Sequence, residues 1–121
     1  MFKCKVLVPA LFLFCQANAE TYYVSNNGNN SNNGQTPQNA FKTLQHASDI
    51  VTAGDSIIVM AGNYSGFYHT TSGTATQRIL FKGQPGAIIN APNGTTSDGI
   101  NLEGSSFVTV DGFEINGVPR A

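Results

Sequence analysis

Two kinds of hydrophobic pattern divide the chain. Between Phe41 and Val51, the apolar residues Leu44, Ala47, Ile50 and Val51 recur at i, i+3, i+6 and i+7, which is one face of a helix. Thr43 stands where an N-cap belongs, and Gly54 lies just past the end as a stop. A helix of about ten residues is marginal in isolation, so its apolar face must dock on another element. The next stretch, Ala53 to Tyr64, reads as turn, strand, turn. Gly54-Asp55 and Gly62-Asn63 are turn pairs, and the β-branched run Ser56 to Met60 lies between them with Ile57 and Val59 on the inner face.

Beyond this hinge the pattern changes to very short apolar strands punctuated by glycine. They are expected at Arg78–Lys82, Ala87–Asn90, Gly99–Glu103, Phe107–Val110 and Phe113–Ile115. Gly66 to Gln77 is expected to be a polar, Thr-rich loop. Ile100/Leu102 and Val108/Val110 alternate with more polar neighbours, which gives each strand an inside and an outside. Ile79-Leu80-Phe81 and Phe107-Val108-Thr109 read as equivalent strands of a repeat. Short strands, abrupt Gly turns and a repeat of this kind predict an all-β parallel β-helix. A small antiparallel sandwich is the alternative, but its strands would be longer and joined by hairpin turns.

The N-terminal part follows different rules. Lys3 and Lys5 form a basic region, Val6 to Phe14 is an apolar run too short to span a bilayer, and Ala17-Asn18-Ala19 offers small residues to a signal peptidase. Residues 1–19 are therefore expected to be a secretory signal, with residues 20–121 forming the domain. The mature protein would be secreted, periplasmic or on the cell surface. Cys4 and Cys15, the chain's two cysteines, would leave with the signal, so no disulfide staples the domain. Residues 20–121 keep four of the six Lys+Arg and all seven Asp+Glu, a net charge of −3. No basic patch remains for nucleic acid, and no later segment is apolar enough to cross a membrane.

Ser25 to Gly34 is almost pure turn chemistry, rich in Asn and Gly, and is expected to be an ordered surface loop. It contains no carboxylate to attract calcium. Asn29-Asn30-Ser31, Asn63-Tyr64-Ser65 and Asn93-Gly94-Thr95 match the glycosylation sequon, which matters only in a eukaryotic host.

Several of these stretches together resemble a family. Tyr22-Tyr23-Val24-Ser25-x-x-Gly28, Phe41-Lys42-Thr43-Leu44-Gln45-x-Ala47, Gly54-Asp55-x-Ile57-x-Val59-x-x-Gly62-x-Tyr64 and Val110-Asp111-Gly112-Phe113-x-Ile115 resemble the start of secreted right-handed parallel β-helix proteins of the pectate-lyase-like superfamily. Bacterial pectate lyases and chondroitinase B-like enzymes are the nearest groups. The resemblance implies a right-handed solenoid whose open N-terminal end is capped by the helix near Phe41 to Val51, with Ile57, Val59, Ile100, Leu102, Val108, Val110, Phe113 and Ile115 stacked as interior ladders. It implies a parent protein acting on acidic polysaccharide by β-elimination, in which a Lys or Arg base removes a proton and calcium neutralises the neighbouring carboxylate. The matching positions are turn and core positions, and the family's catalytic residues lie in later rungs. This chain, with two to three rungs, is therefore expected to be a truncated N-terminal part without an active site. No residue is assigned a catalytic or metal-binding role, and the substrate-binding residues are not identified. The alternatives for the parent are a non-catalytic glycan-binding or adhesion protein and a uronan epimerase.

The local candidates each have a structural reading. Asp98, Glu103, Asp111 and Glu114 lie close enough in sequence to suggest a calcium site, yet Asp98 and Asp111 each precede a turn glycine, as Asp55 follows one. Arg78 and Lys82 flank one strand, where they either face a polysaccharide or serve as solvated edge charges. His46 falls on the polar side of the helix and His69 in a loop, neither with a second ligand nearby. Tyr64, Phe67 and Tyr68 are expected to pack the loop over the first rung rather than stack on sugars.

Overall fold

A computed structural model describes residues 4–7, 14–17 and 19–121. Two strands, β1 (Cys4–Leu7) and β2 (Phe14–Ala17), pair with each other antiparallel. The rest of the segment expected to be a signal, residues 1–3, 8–13 and 18, lies outside the described residues.

From Thr21 onward every strand pairing is parallel. The elements in chain order are β3 (Thr21–Val24), a 3-10 turn at Pro37–Asn39, α1 (Leu44–Ile50), β4 (Ser56–Val59), β5 (Gly62–Ser65), β6 (Phe67–Tyr68), β7 (Ile79–Gly83), β8 (Ala87–Ala91), β9 (Ile100–Asn101), β10 (Val108–Asp111) and β11 (Glu114–Ile115). They form three parallel sheets with the orders β10-β7-β4-β3, β11-β8-β5 and β6-β9. The chain therefore visits the sheets in a fixed cycle: β4, β5 and β6 in turn, then β7, β8 and β9, then β10 and β11. Parallel sheets of short strands with one helix are compatible with the start of an all-β parallel β-helix, and they rule out the antiparallel sandwich.

In-register parallel pairing puts like positions on top of one another. Tyr22, Ile57, Phe81 and Val110 form one inward row, and Tyr64, Ile89 and Ile115 another. Phe67 pairs with Ile100 in the third sheet. Ile57, Val59, Ile79, Phe81, Ile89 and Phe67 are fully buried. The Phe67 and Phe81 rings stack at 4.4 Å, joining the third sheet to the first. Ile100, Val110 and Ile115 of these rows, with Leu102, Val108 and Phe113, pack against this core and are partly buried.

The helix starts later than its apolar pattern suggested. Thr43 is the N-cap as expected, its Oγ1 accepting from the His46 amide at 3.2 Å. Phe41 is not helical. It bridges Val24 in parallel fashion and is buried against Tyr22, with ring centroids 5.6 Å apart. α1 buries Leu44, Ala47 and Ser48 and packs against β3 and β6, each an edge strand.

Three other expectations are corrected. Gly62-Asn63 opens β5 instead of forming a turn, because alternation of Asn63, Tyr64 and Ser65 puts only Tyr64 inside. The loop expected from Gly66 contains β6, and its first residue is the corner between the second and third sheets. A Cβ on Gly66 would collide with the Gly99 carbonyl, so only glycine fits there. Finally, Val108 and not Phe107 pairs with Ile79. A shift of one residue reverses every side chain in a strand. Phe107 accordingly faces out, 45% exposed, in a left-handed conformation (φ 56°).

The Asn-rich loop is ordered by its own side chains. Asn29 Oδ1 accepts from the Ser31 amide and Asn33 Oδ1 from the Gln35 amide. Asn30 reaches further: its Oδ1 accepts from the amides of Lys42 (2.8 Å) and Thr43 (3.2 Å), while its Nδ2 donates to Thr43 Oγ1 (3.1 Å).

Candidate functional site

The outward side chains of β5 form one wall of a cleft. Asn63 and Ser65 are two residues apart on a strand, so both point away from the core, with Tyr64 inside between them. Lys42 and Thr43, from the segment leading into α1, also line the cleft, together with Asn26 and Pro92. The cleft has a volume of about 400 Å³ and no acidic residue lines it.

Its walls are held by backbone bonds. β5 is an edge strand of its sheet. In the orientation that satisfies both groups, the Asn26 carboxamide donates to the Asn63 carbonyl (3.0 Å) and accepts from the Asn63 amide (3.1 Å). Asn26 thus occupies the place of a further strand. Opposite Ser65 the register slips, since Tyr64 pairs with Ile89 but Ser65 with Ala91. Such a bulge bends the strand and re-aims side chains. Tyr64 fixes the floor, its hydroxyl donating to the Met60 carbonyl at 2.8 Å, and burial raises its pKa above the ordinary phenol value.

Three side chains in the cleft remain available for a ligand. Among the described residues, the Lys42 ammonium, the Asn63 carboxamide and the Ser65 hydroxyl make no hydrogen bond or ion pair within the chain, and all three residues are exposed. Gln45, by contrast, is committed. Its Nε2 donates to Asp49 Oδ1 and the Tyr68 carbonyl, and its Oε1 accepts from the Tyr68 amide, which ties α1 to β6.

Of the acidic candidates, Asp98 and Glu103 meet at one atom, Asn101 Nδ2, while Asp111 and Glu114 have partners of their own. Asp98 Oδ2 accepts from Thr96 Oγ1 (2.9 Å) and Asn101 Nδ2 (2.6 Å), and its Oδ1 meets Arg120 at 2.6 Å. The Thr96 and Asn101 hydrogen bonds, with Arg120 beside them, hold this carboxyl below its usual range. Asp111 pairs with Lys82 at 2.7 Å, and that bond and charge lower its pKa too. Glu114 accepts from Asn116 (3.0 Å), and Glu103 lies 3.4 Å from Asn101 Nδ2. Among the described residues no group of three or more His, Cys, Asp or Glu could hold a metal ion. Asp55 is a buried corner residue whose carboxylate accepts from the Glu20 amide (2.9 Å) and the Thr52 amide (2.8 Å).

Other sequence candidates also have structural work. Arg78 donates to Thr109 Oγ1 at 3.0 Å and lies over the Phe107 ring. Tyr64 and Phe67 are buried and Tyr68 half-buried, so packing claims these aromatics. His46 stacks edge-on against Phe41 at 4.6 Å. His69 is not a loop residue facing solvent: it is fully buried, with Nδ1 2.8 Å from Ser48 Oγ and its ring against Phe81. Of the three sequons, Asn93 is buried, its Nδ2 donating to Thr96 Oγ1 and the Asp98 carbonyl.

Lys42, Asn63, Ser65 and Asn26 were not singled out as site residues by sequence reasoning. The polar-apolar-polar alternation at Asn63-Tyr64-Ser65 was the available signal, but the preceding glycine made it read as a turn. No helix among the described residues is long and apolar enough to cross a membrane.

Comparison with known proteins gives one informative likeness. No family model matches the chain, and no curated protein matches it. A solved structure of XylC in complex with xylose is similar, with 30% sequence identity and a TM-score of 0.52 over 57% of this chain. The chain spans only 11% of that protein's length.

Proposed function

We propose that this chain is the front part of a secreted, carbohydrate-active right-handed parallel β-helix protein of the pectate-lyase-like superfamily, with residues 1–19 as its signal. The observation that carries the reading is the cyclic visit to three parallel sheets, together with the likeness to XylC, whose structure is a complex with xylose. The parent reaction is β-elimination on a uronic-acid polymer. The described residues supply scaffold and glycan contact to that protein. Asp111, Asp98 and Glu114 are tied to Lys82, to Arg120 with Thr96, and to Asn116, and no group of three or more His, Cys, Asp or Glu that could hold a metal forms among the described residues.

That same dispersal of acids favours a second reading, a β-helix that binds glycan without cleaving it. The two separate in one assay. The product of the whole reading frame containing this chain is incubated with polygalacturonate and followed by ultraviolet absorbance. Lyase action introduces an unsaturated uronide and raises the absorbance. Binding with flat absorbance supports the non-catalytic protein, and absence of both rejects the carbohydrate-active reading.

A further inference from the structure

The proposed function leaves open where this part of the chain would touch a glycan. The outer face of the first sheet is a poor candidate, because Lys82 is paired with Asp111 and Arg78 is committed to Thr109 and Phe107. The cleft beside β5 differs in every respect. We infer that it is a binding subsite for one sugar unit bearing a carboxylate, with the Lys42 ammonium on the carboxylate and Asn63 and Ser65 on ring hydroxyls. The inference rests on the carbohydrate-active reading and adds a site that the fold alone does not assign.

The argument begins with size. A volume of about 400 Å³ has room for a single pyranose with its water. Polar spacing comes next. Residues i and i+2 of a strand lie roughly 6.6 Å apart on one face, about the span between hydroxyls on opposite sides of a pyranose ring. Asn63 offers both a donor and an acceptor, and Ser65 a hydroxyl that does either. Both are free of internal bonds, so a ligand hydroxyl displaces only water. Asn26 holds the Asn63 backbone and the bulge opposite Ser65 re-aims the strand, so these positions are fixed before any ligand arrives.

Charge decides the class of sugar. Lys42 is the one charged residue lining the cleft, and it has no carboxylate partner among the described residues. The domain is acidic overall, so an unpaired ammonium in a cleft without acids is a local reversal of sign. The first amides of α1 do not create this site. Asn30 takes the Lys42 and Thr43 amides, and Thr43 Oγ1 takes that of His46. The attraction comes from the Lys42 side chain, which presents three rotatable donors to an anion.

The test uses the full chain and a matched pair of probes. D-galacturonic acid and D-galactose differ at the carboxylate alone, and each is titrated against the ¹⁵N-labelled protein. With galacturonate, amide shifts concentrate at Lys42, Asn63, Ser65, Gly66 and Gly94, and galactose binds about tenfold more weakly, the scale of one charge-assisted hydrogen bond. Lys42→Gln removes that preference, and Lys42→Arg restores most of it. Because Lys42 is exposed, circular dichroism of both variants matches the parent chain. Equal affinity for the two sugars, or shifts on the outer face of the first sheet, overturns the subsite while leaving the carbohydrate reading standing. Absence of shifts with either monosaccharide also overturns it, and separate binding of polygalacturonate shows that the broader reading survives.

Discussion

Ser48 Oγ and His69 Nδ1 lie 2.8 Å apart, both buried, and join the only α-helix among the described residues to the strand that follows β5. His69 Nε2 has no hydrogen-bond partner. Burial therefore holds the imidazole below its ordinary value of 6.5, against a weaker opposite pull from the backbone of Thr71 and Ser48 and from Asp49. The pair resembles the start of a catalytic dyad. Without solvent access it acts as a polar tether between α1 and β6.

A pH dependence follows from that burial. The folded protein keeps His69 neutral, whereas the unfolded chain protonates it near 6.5. The unfolded state then binds more protons, so stability is fully present above that value and falls as pH drops through it. Asp98 and Asp111, both depressed, add to the loss at lower pH, once the ordinary carboxylate range is reached. Thermal melts from pH 8 to pH 5 should show a declining midpoint. His69→Gln should flatten the first part of the decline.

The corner at Gly66 is intolerant of any side chain. Gly66→Ala forces a Cβ against the Gly99 carbonyl and should destabilise the fold by about 1–3 kcal/mol or prevent it. Chemical denaturation of this variant beside Gly94→Ala is the check, since a Cβ at Gly94 meets nothing within 4 Å. Equal stability of the two would contradict the sheet-to-sheet approach.

Phe81 is the central ring of the core, stacked on Phe67 and edge-on to His69. Phe81→Ala should cost about 3–5 kcal/mol in equilibrium unfolding. Phe107→Ala, at an exposed ring, should change stability by less than about 1 kcal/mol.

Asp55 caps a corner without forming part of a ligand site. Its two carboxylate oxygens accept from the Glu20 and Thr52 amides. Asp55→Ala leaves these donors unsatisfied and should destabilise by about 1–3 kcal/mol. Sugar binding by the folded fraction should be unchanged. Lys82→Ala, which breaks an exposed ion pair, should be within about 1 kcal/mol of the parent.

Much of the architecture was legible because parallel pairing repeats the same few inward positions. Ile57 and Val59 could be assigned to the interior from a four-residue alternation, and Thr43 to the helix cap from its chemistry. The failures occurred where glycine had two meanings. At Gly62 it makes room for the Asn26 side chain and at Gly66 for the Gly99 carbonyl, which sequence alone does not separate from a turn. The repeat was aligned one residue early at Phe107, although the alternation of Val108 and Val110 already put those two residues inside, where they pair with Ile79 and Phe81. His69 was hidden for a different reason: its burial depends on Ser48 and Phe81, distant in sequence and brought together by the fold. The cleft was not legible at all. Asn63 and Ser65 share β5, but Asn26 and Lys42 come from other segments, and nothing in the local sequence marks them as neighbours of that strand.

The central claim is that this chain makes contact with glycan. Affinity electrophoresis of the full chain through gels containing polygalacturonate, xylan or no polysaccharide tests it most directly. Retardation by polygalacturonate, weakened by Lys42→Gln and unaccompanied by new ultraviolet absorbance, is the result predicted. Equal mobility in all three gels would contradict the account.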